Sequence, residues 1–150
     1  MTRLILAAVI GLTTALPAAA QFKNAEAAIT YRQSVMQVQN HHLGRIFAMV
    51  NGRMPFDAKV AAEDAALLDT IDKLPFVAFI DGSDKGDTNA KPEIWKNMDD
   101  FTKKMEEFQL AAAKLGEVSA GGDRKAIEEQ VKATGKTCGS CHDDYKEKDD

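Results

Sequence analysis

Cysteine is scarce: the 150 residues hold only two, Cys138 and Cys141, separated by Gly139-Ser140. A bridge closing so short a loop would constrain the unfolded chain little, which excludes a disulfide framework as the basis of the fold. The pair is there for chemistry. Positive charge is in deficit, with 19 Lys and Arg against 23 Asp and Glu and a formal charge of −4, and that balance excludes nucleic acid as an expected partner. Long apolar runs are absent beyond residue 20, so no later segment should insert in a membrane. Proline is rare as well, and Pro55, Pro75 and Pro92 fall at the edges of periodic segments, which leaves long stretches free for helix.

The N-terminus reads as a leader. Met1-Thr2-Arg3 is a short basic start, Leu4 to Leu16 is apolar but for Gly11, Thr13 and Thr14, and Ala18-Ala19-Ala20 offers a small-residue cleavage site before Gln21. A spanning helix needs roughly 20 apolar residues, and this run is shorter and ends at Pro17. The expectation is therefore an exported protein with residues 1–20 removed and 21–150 forming one domain. Losing Arg3 moves the formal charge to −5, with 18 basic against 23 acidic residues.

Apolar spacing predicts an all-α chain of four helices. The first runs from about Asn24 to Val50, with Ile29, Met36, Leu43 and Val50 spaced by sevens on one face. The second, from about Asp57 to Leu74, turns Val60, Leu67, Ile71 and Leu74 inward. Lys91-Pro92-Glu93 opens the third, where proline suits the first turn and Glu93 complements the helix dipole. Its stripe is Ile94, Met98, Phe101, Met105, Phe108, Ala112 and Leu115, alternating four and three as in a bundle, and Gly116 closes it. The fourth starts after Asp123, a suitable N-cap, and carries Ile127, Val131, Thr134, Cys138, Cys141 and Tyr145 on one stripe. Short connections make neighbouring helices antiparallel. The exception is the long, Gly- and Asp-rich connection from Phe79 to Pro92.

Cys138-Gly139-Ser140-Cys141-His142 carries the chemistry. Two thiols at this spacing can add to the two vinyl groups of haem as thioethers, and the next residue brings an imidazole to the iron. A thioredoxin-like dithiol would follow a strand and sit at a helix N-terminus, whereas this pair lies late in a helix. A structural zinc site needs four ligands, with only His41 and His42 left to complete one. A disulfide would leave the adjacent histidine unexplained. One covalently attached haem c, with His142 as axial ligand, is the expectation.

With those residues in place, the chain resembles the cytochrome c′ family over its whole mature length. The resemblance is carried by Gln21-Phe22-Lys23, Tyr31-Arg32-Gln33-Ser34, Gly86-Asp87, Lys91-Pro92-Glu93-Ile94-Trp95 and Thr137-Cys138-Gly139-Ser140-Cys141-His142-Asp143-Asp144-Tyr145-Lys146. It implies an antiparallel four-helix bundle with the haem near the C-terminus, and a periplasmic, often homodimeric protein that is not an enzyme. It also implies that Arg32 and Gln33 lie at the haem edge, the arginine pairing with a propionate. By the same resemblance Phe76 and Phe79 wall the haem, Asp87 lies near it, and Lys146 stands beside the proximal imidazole. A solvated Arg32, core phenylalanines and a solvated Lys146 are the ordinary alternatives.

The resemblance places Met36 on the distal side, where function divides. An open, crowded sixth position implies a high-spin, five-coordinate haem that binds NO or CO and also transfers electrons. Met36 bound to iron would instead give a low-spin electron carrier, because Met/His ligation raises the potential. Tyr31-Arg32-Gln33-Ser34 and Lys91-Pro92-Glu93-Ile94-Trp95 look more like the high-spin branch. His41 and His42 lie beyond Met36 and read as surface or interfacial residues. No distal His/Arg pair suggests acid-base catalysis.

Overall fold

A computed structural model describes residues 21–148; the expected leader lies outside the described residues. Four long helices pack as an antiparallel bundle: α1 (Ala25–Val50), α2 (Ala58–Ile71), α4 (Met98–Ala120) and α5 (Arg124–Tyr145), with the short α3 (Glu93–Lys96) ahead of α4. Three helix starts are set by side-chain caps of the kind that satisfy free N–H groups. Asn24 accepts from the Ala27 amide at 2.9 Å, Asp57 from those of Lys59 and Val60, and Asp123 from that of Ala126 at 2.7 Å. Among the described residues, the only extended pairing is an isolated bridge between Ala90 and Lys146. None of these helices is long and apolar enough to cross a membrane.

Two clusters hold the bundle. Ile46, Met49, Leu68, Leu115, Ile127 and Val131 centre the larger one, which draws on all four long helices. The smaller is aromatic, built on Ile94, Phe101, Met105 and Tyr145. Phe76, in a 3-10 turn over Phe76–Ala78, packs on both. Cys138 leans on the larger cluster and Cys141 on the smaller, so the junction falls beside the cysteine pair.

Three expectations require correction. The helix expected from Lys91 through Gly116 is broken at Asn97 (φ −127°, ψ 45°) and continues past Gly116 to Ala120. Gly116 faces α2 and does not end it. A Cβ there would meet the Ala65 carbonyl and Asp69 Cβ at 4.0 Å, an ordinary contact, and the residue keeps helical geometry, so the helix runs on through it. Met98, at the new helix start, is exposed rather than inward. In α2 the buried face is Ala61, Asp64, Ala65 and Leu68, while Leu67 and Leu74 point out, and the helix stops at Ile71.

Asp64 explains the polar position on that face. Its fully buried carboxylate accepts from His42 Nδ1–H at 2.6 Å and from Arg45 Nε–H at 2.6 Å, and pairs with Arg45 Nη2 as well. A buried carboxylate must be paired in this way to be tolerated. His42 is therefore an α1–α2 clasp, with the exposed His41 ring edge-on to it at 5.1 Å.

Candidate functional site

At the cluster junction lies a cavity of about 430 Å³, walled by Met36, Leu43, Phe47, Phe76, Phe108 and the Cys138–His142 turn. A second cavity of about 260 Å³ adjoins it, and Met36, Phe76, Cys141 and His142 line both. Arg32, Gln33, Phe79, Asp87 and Lys146 line the smaller one. The structure thus brings all ten residues singled out from the sequence to the walls of one divided slot.

The cysteines occupy one turn of α5, both half-buried and unbridged. Burial pushes both thiols up, Cys141 to about 11, so each is a protonated, apolar group at neutral pH. A redox-active dithiol shows the opposite, a thiol acidified by a helix N-terminus or a cation. Among the described residues no group of three or more His, Cys, Asp or Glu side chains is gathered for a metal ion, and His42 is spent on Asp64 rather than turned to the cysteines. What remains is an apolar slot with two thiols and an imidazole on one wall, and that donor set fits haem c.

Arg32 is 2% exposed, which overturns the solvated alternative. Its Nη1 donates to Ala78 O at 3.1 Å and Ser83 Oγ at 2.8 Å; its Nη2 donates to Ser83 O at 2.7 Å and Thr88 Oγ1 at 2.8 Å. The guanidinium also lies over the Phe79 ring, 4.6 Å from its centroid. Burial pulls its pKa down to about 10, which leaves it charged at neutral pH. Four of five donors are thus spent on the chain itself, and the Nε–H is the one left for a carboxylate. Beside it, Gln33 donates to Asp87 O at 2.9 Å, so both residues pin the long loop over the slot. Gly86 permits the loop's close turn at φ +109°.

Lys146 is half-buried and pairs its backbone with Ala90 in the isolated bridge. Nearby, Lys91 N–H donates to Tyr145 O at 3.0 Å and Glu147 N–H to Asn89 O at 2.8 Å, tying the end of α5 to the loop. Tyr145 donates its hydroxyl to Asp100 Oδ2 at 2.6 Å. That bond, more than burial, raises the phenol to about 12.

Several wall residues escaped sequence reading. Lys104 reaches the larger cavity while its Nζ pairs with Asp144 at 2.8 Å, a contact that raises its pKa. Gly135 lies one turn before Cys138 and opposite Phe47; a Cβ there would stand 3.0 Å from the ring. A small residue one turn before the cysteines was the available signal. Gly135→Ala gains up to about 1 kcal/mol of helix propensity, but overpacking costs about 1–3 kcal/mol. A net loss of melting temperature in the haem-loaded protein is expected; a gain would show that Phe47 yields freely.

The model of the Cytochrome C' family matches residues 27–146. The chain belongs to the cytochrome c′ family. It is 45% identical over 129 residues to the cytochrome c′ of Rubrivivax gelatinosus, covering 85% of this chain and 100% of that one. The solved cytochrome c prime of Shewanella frigidimarina superposes with a TM-score of 0.82 at 39% identity, covering 85% of this chain and 99% of that one. A nitric oxide complex of a variant of cytochrome c prime from Alcaligenes xylosoxidans gives 0.80 at 34% identity, with coverage of 85% and 99%. Members of this family carry covalent haem c, and the slot between α1 and α5 is where this cytochrome c′ has room and donors for it.

Proposed function

We propose that this cytochrome c′ is a periplasmic gas-binding haem protein, exported after cleavage following Ala20, with residues 21–150 as the mature domain. Cys138 and Cys141 hold the haem through thioethers, and His142 supplies the axial imidazole. The haem, when bound, supplies an iron that takes a diatomic ligand and exchanges single electrons. The chain's own work is to hold, crowd and dry that iron. Met36 packs over the sixth position without binding, and Phe76 and Phe79 keep water out, so NO or CO enters where larger molecules cannot. Arg32 and Gln33 serve by holding the loop closed, and Lys146 adds a cation on the His142 side that tunes the potential. The observation that carries this reading is the divided apolar slot with Cys141 and His142 on the α5 wall and Met36 on the α1 wall. The NO complex of the Alcaligenes relative supports the ligand class. Exposed Val38 on α1 and Leu67 on α2 suit a homodimer through those helices.

The second reading, a low-spin electron carrier, follows if the Met36 thioether binds iron, since it lines both cavities with His142. An optical spectrum of the ferrous protein before and after CO separates the two. The expected result is a broad high-spin band that shifts with CO, and a Met36→Leu variant that stays five-coordinate. Sharp low-spin bands indifferent to CO, turning high-spin in Met36→Leu, would establish the carrier instead.

A further inference from the structure

One group beside the slot has chemistry that gas binding does not use. Tyr145 is 6% exposed and lines the smaller cavity with Cys141 and His142. Its ring stands edge-on to Phe101 at 5.4 Å, and Phe101 in turn meets Phe79 at 4.7 Å. A buried phenol needs an acceptor, and a carbonyl would serve. Here the acceptor is a carboxylate, Asp100 Oδ2 at 2.6 Å, on the exposed first turn of α4. A carbonyl cannot take the proton; a carboxylate can, and can pass it to water. Because the phenol keeps its proton at neutral pH, electron loss has to be accompanied by proton loss, and this bond provides the route. The other tyrosine, Tyr31, packs instead on Phe22 at 5.3 Å.

We infer that Tyr145 donates an electron to the haem site when hydrogen peroxide is reduced there, and that Asp100 takes the phenolic proton. The inference rests on the open iron position proposed above, because peroxide has to reach the metal. Starting from the ferrous protein, hydrogen peroxide gains two electrons and two protons, its O–O bond breaks, and two waters leave. One electron comes from the iron, which ends ferric. The other comes from Tyr145, which ends as a neutral phenoxyl radical. One proton leaves Tyr145 through Asp100 and the other comes from solvent. The second oxidising equivalent is thereby held on Tyr145, in the aromatic cluster with Phe101, rather than at the metal.

The test mixes ferrous holoprotein with hydrogen peroxide, freezes samples at intervals, and records optical and electron paramagnetic resonance spectra. The haem should turn ferric with a phenoxyl signal that Tyr31→Phe retains and Tyr145→Phe loses. Asp100→Asn keeps the buried ring and should lower the radical yield while haem oxidation proceeds. Ferric haem without a phenoxyl signal, a signal surviving Tyr145→Phe, or an unchanged yield in Asp100→Asn overturns the inference while leaving gas binding intact. A haem spectrum unmoved by peroxide overturns the open position and the inference together.

Discussion

A Cys138→Ala, Cys141→Ala double variant should lose its haem on denaturation, whereas the parent should keep it. The physical ground is the way the two sulfurs are presented. Both thiols face the slot from one turn of α5, half-buried, unbridged and held in the neutral form by burial. With both removed, His142 is the only one of the three attachment groups left, and a single imidazole–iron bond does not survive unfolding. Acid–acetone extraction followed by mass measurement reads the outcome directly. The parent should retain the added mass of haem on the chain, and each single variant should retain it through one thioether. Haem that stays with the double variant through denaturation would sink the assignment of Cys138 and Cys141.

Arg32→Ala should be the most damaging change away from the cysteines. It takes a donor from two carbonyls and two hydroxyls in the loop, leaving Ser83 Oγ with Ile80 O and Thr88 Oγ1 with the Ala90 amide, and empties space against the Phe79 ring. Each buried acceptor left unmet costs about 1–3 kcal/mol, though loop relaxation recovers part of this. A total of about 3–5 kcal/mol is expected, in the range reserved for broken buried networks. For a domain of this size that lowers the melting temperature by on the order of 10–20 °C. Thermal unfolding followed by far-ultraviolet circular dichroism on the haem-loaded protein is the measurement. Arg32→Lys should recover little, because an ammonium cannot match a planar fork. A loss below about 1 kcal/mol would mean that the loop holds itself in place.

The bundle and the placing of Cys138, Cys141 and His142 on one wall of a slot were legible in the sequence because both rest on local signals. Heptad-spaced apolar residues in α1 and α5 name their own faces, and Asp57 and Asp123 name their own helix starts. What was not legible depended on neighbours remote in sequence. Gly116 looks like a stop, yet beside Ala65 and Asp69 the helix runs on through it. The inward face of α2 is mostly alanine and an aspartate, so Leu67 drew attention that belonged to Leu68. For Arg32, the acceptors at Ser83 and Thr88 lie 51 and 56 positions away, and no periodicity connects them. The site residues were found together, but the contacts of Arg32 and the phenol–carboxylate pair at Tyr145 needed three dimensions.

The loop between α2 and α3 is gripped from two directions, by Arg32 on one side and by the Ala90–Lys146 bridge on the other. Helices α1 with α2, and α4 with α5, can pair across short turns soon after each is formed. The grip on the loop joins partners about fifty positions apart, so its closure entropy must be met before any bond is gained. Because the loop's stretch from Phe79 to Pro92 lines the smaller cavity beside Cys141 and His142 but no part of the larger one around Cys138, loosening its grip would open one compartment and leave the other unchanged.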